Sequence, residues 1–391
     1  MIIQIVILTY LSFSTLYFLL FSVAGLFNRR SKTPTGKKIN RFVVLIPGYK
    51  EDVVIVEVAA HALEQEYPKE FYDVAVIADS FKPETLALLK QLPIKVIEVE
   101  LEKSSKSNSI NKAMSILPDI YDAVIVLDAD NVMAKDCMAK MNDSLNCGYE
   151  AIQGHRTAKN RNTAFAVLDS VSEEINNRIF RKGHRALGLS SALIGSGMAF
   201  RYQLFKDYMS NIDSTGEDKE LEIKLINNGK KIEYLDNAWI FDEKVQKSEV
   251  FIVQRTRWLA NQFIYAKRYF LWSAKQLILK GNIELFDKVL QQLLPPRIFL
   301  LGFLVIVLFL SLLFNPLVFT YIWIANTALC IFSLLISIPK KYYNYSTLKA
   351  VLLLPKGFIF MFLALIRIKK AGKSWGHTTH GLINVNDQAK Q

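Results

Sequence analysis

Uncharged stretches near the two ends of the chain decide most of what this sequence can become. Met1 to Phe27 holds only Gln4, some hydroxyl residues and two tyrosines among its apolar side chains. Ile298 to Phe314 and Leu317 to Ile338 are also free of charge, and the turn dipeptide Asn315-Pro316 separates them. About 20 apolar residues cross the hydrocarbon core of a bilayer. The first stretch therefore predicts one membrane helix, and the second pair a helical hairpin with a very short loop.

A cleaved signal peptide is the main rival for the first stretch. Its start, Met-Ile-Ile-Gln, carries no basic residue, and a small-residue cleavage site is poorly formed. Arg29, Arg30, Lys32, Lys37, Lys38 and Arg41 follow it instead. The positive-inside rule keeps these in the cytosol, so an uncleaved anchor with its N-terminus outside is expected. Lys340 and Lys341 mark the return to the cytosol after the hairpin. Leu348 to Ile368 differs, because Pro355-Lys356 divides it into halves too short to span and basic residues flank both sides. A broken helix at the cytosolic interface is expected there, with a fourth span as the alternative. The expected order is an anchor over 1–27, a cytosolic domain over 40–250, interface helices over 251–294, a hairpin over 298–338, and an interface helix with a tail over 347–391. Such a chain is a multi-pass protein of the cell (inner or plasma) membrane.

The net charge of +12 raises nucleic acid as a partner. Much of the excess basic charge lies beside the membrane segments, so lipid with anionic headgroups is the simpler partner and no nucleic acid is expected. Cys137, Cys147 and Cys330 are odd in number and lack metal-site spacing, which fits free thiols in a reducing compartment.

From Arg41 to about Val245, apolar runs of strand length alternate with helical stretches. Phe42 to Ile46, Tyr72 to Ala78, Ile94 to Val99 and Ala123 to Leu127 read as strands, with helices near 53–65, 83–91 and 109–117 between them. That alternation predicts an α/β domain with a mostly parallel sheet. Ligands of such sheets bind at the carboxyl ends of strands, where Asp79, Asp128 and Asp130 fall. No G-x-G-x-x-G follows the first strand, which argues against a dinucleotide oxidoreductase.

Five motifs carry chemistry. Asp128-Ala129-Asp130, at the mouth of a buried strand, offers two carboxylates to a hard divalent cation and a diphosphate; aspartates also end strands for turn reasons. Glu217-Asp218, at a helix start, offers a general base; an acidic first turn serves the helix dipole equally well. Gln254-Arg255-Thr256-Arg257-Trp258 joins an arginine for phosphate oxygens to a tryptophan for a sugar face, and an interfacial helix with an aromatic belt would read alike. Gly195 to Arg201 permits close backbone approach. Trp375 to Gly381 holds His377 and His380, suited to a metal or a diphosphate, or is a polar tail.

In this order, followed by a membrane hairpin, the motifs resemble the membrane-bound family 2 inverting glycosyltransferases of the cellulose, hyaluronan and poly-N-acetylglucosamine synthase type, over most of the chain after the anchor. The resemblance implies a GT-A-type nucleotide-sugar-binding domain with transmembrane helices. It implies that Asp79 holds the nucleotide base, and that Lys106 and Asn111 lie beside the nucleotide. Asp128 and Asp130 match the D-x-D, with Asp130 the more direct ligand of Mg²⁺ or Mn²⁺. Glu217-Asp218 matches T-E-D with Gly216 in place of the threonine, and makes Asp218 the base. Gln254, Arg257 and Trp258 match Q-x-x-R-W on the acceptor and diphosphate side. The stretch ending at His380 matches the element that closes over the donor, with His380 where many relatives have arginine. The implied reaction is transfer from a nucleotide sugar, by resemblance a UDP-sugar, to a saccharide acceptor. Single-sugar transfer to a lipid-linked acceptor stays open, as does a non-catalytic nucleotide-sensing scaffold. A nucleotidyltransferase would explain Asp128 and Asp130 but not Q-R-T-R-W beside a membrane helix.

Overall fold

The computed structural model describes residues 2–27, 38–102, 104–214, 216–244, 248–314 and 316–371. These fall into two compact units. One holds the described parts of 30–160 and 190–244 around a sheet; the other, all helical, holds those of 1–29, 161–189 and 245–373.

The sheet has eight strands: β1 (Phe42–Tyr49), β2 (Tyr72–Asp79), β3 (Lys95–Val99), β4 (Ala123–Val126), β5 (Val132–Met133), β6 (Ala151–Ala158), β7 (Met198–Arg201) and β8 (Ile232–Asp242). Their spatial order is β3-β2-β1-β4-β7-β6-β8-β5. The first four in that order are mutually parallel, as the alternation of apolar runs and helices predicts. Such strands are covered on both faces, which is why Phe42 to Ile46 and Ala123 to Leu127 are continuous apolar runs, all buried. Past β4 the sheet is mixed: β7 runs antiparallel to β4 and β6, β5 antiparallel to β8, and β8 parallel to β6. The change follows the turn after β4, where the Asn131 N–H donates to the Asp128 carbonyl at 3.0 Å. Helix Lys106–Ile116 returns the chain from β3 to β4, and the Ser105 side chain caps it by accepting from the Asn108 N–H.

In the helical unit, Gln4–Ala24, Arg297–Phe314 and Leu317–Ser337 are long and apolar enough to cross a membrane. Tyr345–Val351 and Leu354–Arg367 form a pair bent by 50°. The bend falls at Leu352-Leu353, ahead of the predicted Pro355-Lys356. Pro355 sits in the first turn of the following helix, where its missing N–H breaks no hydrogen bond. Ala164–Asn176 continues through a π-helical turn, Asn177–Gly183, into His184–Ala186. The first apolar helix packs at the end of this turn: Phe21 stacks on the His184 ring with centroids 3.7 Å apart. A Cβ on Gly183 would lie 2.1 Å from the Phe21 carbonyl oxygen, so only glycine permits the approach.

Candidate active site

The carboxyl edge of the parallel strands carries Asp79, Asp128 and Asp130. β2 ends on Asp79, whose carboxylate is buried; Oδ1 accepts from the Ser80 hydroxyl at 2.9 Å. Oδ2 is buried with no hydrogen-bond partner among the described residues. A buried carboxylate oxygen without a donor is costly, and this one stands at the mouth of a parallel strand. The neighbouring backbone is strained in the same sense. Lys50 and Ser80, just past β1 and β2, hold left-handed φ values of 56° and 60°, which cost a non-glycine residue roughly 1–2 kcal/mol each.

Lys106 is the hub of the second group. Helix Lys106–Ile116 starts with it, and its buried Nζ donates to Asp128 Oδ1 and, at 2.8 Å, to the Gly195 carbonyl. Glu217 Oε1 lies 3.5 Å from the same ammonium. Burial opposes the lysine's charge, but Asp128, Glu217 and Asp218 outweigh it and hold its pKa above the ordinary lysine range. Glu217 is affected in the opposite sense. Burial, then repulsion from Asp218 and Asp128, pushes it up to about 7 against the pull of Lys106. Asp218 is half-buried in the first turn of helix Glu217–Asn227, and its Oδ1 accepts from the Lys219 N–H at 2.9 Å. A helix N-terminus favours acidic residues. Lys106, Asp128, Glu217 and Asp218 are thus one electrostatic cluster.

Asp130 is buried two residues beyond Asp128, in the turn after β4. The Asn131 Nδ2 stands 3.5 Å from Asp130 Oδ1, and the Asn131 Oδ1 is buried without a partner among the described residues. An orphaned carbonyl oxygen next to a carboxylate is the hard-oxygen donor set that Mg²⁺ or Mn²⁺ takes. Among the described residues no three His, Cys, Asp or Glu side chains are grouped to hold a metal. A cation at Asp130 would complete its shell with water and phosphate oxygens, which Mg²⁺ commonly does.

Several residues that hold this cluster in place escaped the sequence reading. Gln153, buried in β6, donates to the Ser196 carbonyl at 2.9 Å and accepts from the Ile194 N–H at 3.1 Å. Glu222 accepts from the Leu193 N–H and from Lys219, and Ser196 Oγ accepts from the Asp128 N–H. These bonds press the Gly195 loop against Lys106, where φ of +83° at Gly195 suits glycine. Gln153 shares its strand with His155, Arg156 and Thr157, so its polar side chain did not stand out in the sequence. Asn111 donates to the Ile212 carbonyl at 3.2 Å and so braces the loop leading to Asp218.

Gln254, Arg257 and Trp258 lie on helix Ser248–Lys280 of the helical unit. Gln254 Oε1 is buried without a partner, and half-buried Arg257 makes no ion pair, both among the described residues. Arg255 is structural: it pairs with Asp169 and lies 4.1 Å from the Trp258 ring centre and 4.8 Å from that of Phe251. His380 lies outside the described residues.

Comparison with known proteins adds the following. The profile described as Glycosyltransferase like family 2 matches residues 40–261. Probable glycosyltransferase YdaM of Bacillus subtilis (strain 168) is 25% identical over 262 residues, which cover 62% of this chain and 61% of that protein. Beta-monoglucosyldiacylglycerol synthase of Synechocystis sp. is 23% identical over 65% of this chain and 54% of its own. The chain thus spans little more than half the length of these relatives. Mannosyltransferase PcManGT from Pyrobaculum calidifontis, solved with GDP-Man and Mn²⁺, has a similar fold: TM-score 0.54 at 15% identity, covering 94% of this chain and 98% of that one.

Proposed function

The chain belongs to the glycosyltransferase-like family 2 and has a GT-A-like α/β fold, and we propose that it is a membrane-bound inverting transferase that moves a sugar from a nucleotide-sugar donor, UDP-linked, onto an acceptor at the cytosolic face of the cell membrane. One observation carries the reading. Lys106, Asp128, Glu217 and Asp218 meet at the sheet's carboxyl edge, and the same edge offers unsatisfied acceptors at Asp79 and Asn131.

In this reading Asp79 takes the base through its unpaired oxygen. Lys106, Asp128 and Glu217 surround the phosphates, and Lys106 exchanges carboxylate for phosphate partners as the donor enters. Asp218 accepts the proton of the acceptor hydroxyl as that oxygen attacks the anomeric carbon opposite the leaving diphosphate. A single displacement converts an α-linked donor into a β-linkage. By the family resemblance, Gln254, Arg257 and Trp258 would serve the acceptor and the diphosphate, and His380 the donor. Mg²⁺ or Mn²⁺ held by Asp130 would offset charge on the departing diphosphate.

Two acceptors are considered. A growing saccharide would make the protein a synthase of cell-surface polysaccharide. A lipid-linked acceptor would make it a single-sugar transferase, and this second reading is favoured by relatives named for glucosyldiacylglycerol synthesis and by the three or four candidate spans among the described residues, few for a polymer channel. A panel of nucleotide sugars with Mg²⁺ or Mn²⁺, offered to the full chain with saccharide or lipid acceptors, tests both through released diphosphate and product mass. Long polymer supports the first and one added sugar on lipid the second. No diphosphate from any donor would leave the non-catalytic sensing scaffold.

A further inference from the structure

We infer that the peptide groups of Gly195 and Ser196 form the subsite for the donor's sugar, where two neighbouring ring hydroxyls accept from their N–H groups and donate to the oxygens that Lys106 leaves. The loop over 193–197 is tied down at almost every backbone position. The Leu193 N–H donates to Glu222 at 3.0 Å, the Ile194 N–H to Gln153 at 3.1 Å and the Gly197 N–H to the Val126 carbonyl at 2.8 Å. The Gly195 carbonyl accepts from Lys106, and the Ser196 carbonyl from Gln153. The two consecutive N–H groups in between, those of Gly195 and Ser196, donate to no acceptor among the described residues. Both residues are nevertheless buried. Buried N–H groups without a partner are rare in folded proteins, and consecutive free ones beside a left-handed residue make a concavity that takes oxygen atoms. Glycine keeps the space in front of the loop open: a Cβ on Gly195 would stand 3.4 Å from Lys106 Nζ and 3.8 Å from Glu217 Oε1.

Charge points to the chemical class of the occupant. Asp128, Glu217 and Asp218 act together on the one ammonium of Lys106. Once Lys106 turns to the phosphates, a further anion at the amides would face these carboxylates without a cation. An apolar group would leave both N–H groups unmatched. A hydroxyl accepts and donates at once. A pair of adjacent hydroxyls therefore meets the two N–H donors on one side, and the Gly195 carbonyl and the Glu217 carboxylate on the other. A sugar ring carries such pairs. The glycine loop thus has a task of its own, separate from holding Lys106, and it performs that task with backbone atoms.

The inference rests on the nucleotide-sugar reading above, and UDP without a sugar separates the two. UDP, UDP-glucose, UDP-galactose and UDP-N-acetylglucosamine are each titrated calorimetrically into the full chain with Mn²⁺. The quantity read is the affinity for the sugar-bearing ligand divided by that for UDP in the same protein. In the first variant Ser196 is replaced by its α-hydroxy acid through nonsense suppression, which turns the amide into an ester and removes that N–H while keeping every side chain. The ratio for the preferred sugar should fall about three- to tenfold, the worth of one hydrogen bond, with UDP affinity within about twofold of wild type. In the second, Gly195→Ala, the methyl enters the open space and should lower the ratio about tenfold or more. Gly195 has a φ of +83°, so the ester variant, which keeps the glycine, decides the matter should the alanine variant fail to fold. An unchanged ratio in the ester variant overturns the inference. So does a loss of UDP affinity equal to the loss for the sugar-bearing ligands, since that would put a phosphate at the amides. UDP that binds wild type while none of the three sugar-bearing ligands does overturns this inference alone. UDP that fails to bind wild type brings down the nucleotide-sugar reading and this subsite with it.

Discussion

Each unit of this molecule buries a knot of ionisable side chains, and the two knots differ in what they leave unpaired. In the helical unit, the Tyr17 hydroxyl donates to Asp287 Oδ1 at 2.7 Å, and Gln291 donates to Asp287 Oδ2 at 2.9 Å. His184 Nδ1 stands 2.7 Å from the Ile179 carbonyl, while Nε2 faces Tyr17 and Gln291, each at 3.0 Å. Every polar atom named there has a partner inside the protein. At the sheet's carboxyl edge, by contrast, Asp79 Oδ2 and Asn131 Oδ1 have none among the described residues, and Glu217 sits beside two other carboxylates with one lysine to serve them. Buried polarity that is satisfied is architecture; buried polarity left unsatisfied at a strand mouth awaits a ligand.

Substitutions should split along that line. The largest effect is expected at Asp218→Asn, which should lower turnover about 10²- to 10⁴-fold, the span of a lost general base, while donor binding by calorimetry is kept. Normal turnover in that variant would remove Asp218 from the role. Asp287→Ala should act on stability instead. It strands the Tyr17 and Gln291 donors and should cost about 2–4 kcal/mol in denaturant titration, with donor affinity unchanged in the fraction that stays folded. Asp79→Asn should do the reverse. Replacing the unpaired acceptor should weaken nucleotide binding about 10- to 100-fold, the worth of a hydrogen bond to a charged group, and leave the melting temperature in place. Equal loss of stability at Asp79 and Asp287 would erase the distinction drawn between the two knots.

The smallest effect is one of pH. Burial holds the His184 pKa below its ordinary value against the pull of Asp287. The unfolded chain therefore takes up a proton near pH 6.5 that the folded chain refuses, so stability rises with pH through that region and is lost as pH falls below it. Denaturant titrations across pH 7.5 to 5.5 should show stability falling with pH, and His184→Gln should flatten that slope.

What could be read from the sequence follows the same division. The parallel half of the sheet and the three long apolar helices were legible because each is a local pattern of apolar residues. Asp79, Lys106, Asp128 and Asp218 could be singled out because motif order recorded them, and their roles are the proposal made above. The segment Ala164–Ala186 was not. Asp169, Glu173, Arg181 and Arg185 give it the look of a surface helix, yet Glu173, Arg181 and Arg185 are buried. Its partners stand far away in the chain, such as Arg297 donating to Asn176 and Ser172. The antiparallel placing of β7 was hidden for a similar reason, since Met198–Arg201 is only four residues long and takes its register from β4 and β6. Gln153 and Glu222 shape the Gly195 loop through backbone groups that no side-chain pattern announces.

The central claim is that the unsatisfied edge receives a nucleoside diphosphate together with a divalent cation. Calorimetric titration of UDP into the full chain, with Mn²⁺ and then with Mn²⁺ removed by chelation, addresses it most directly, using wild type and Asp130→Ala. Binding should require Mn²⁺ and should be lost in Asp130→Ala without a change in melting temperature. UDP that fails to bind wild type with Mn²⁺ present, or binds Asp130→Ala just as tightly, would contradict it.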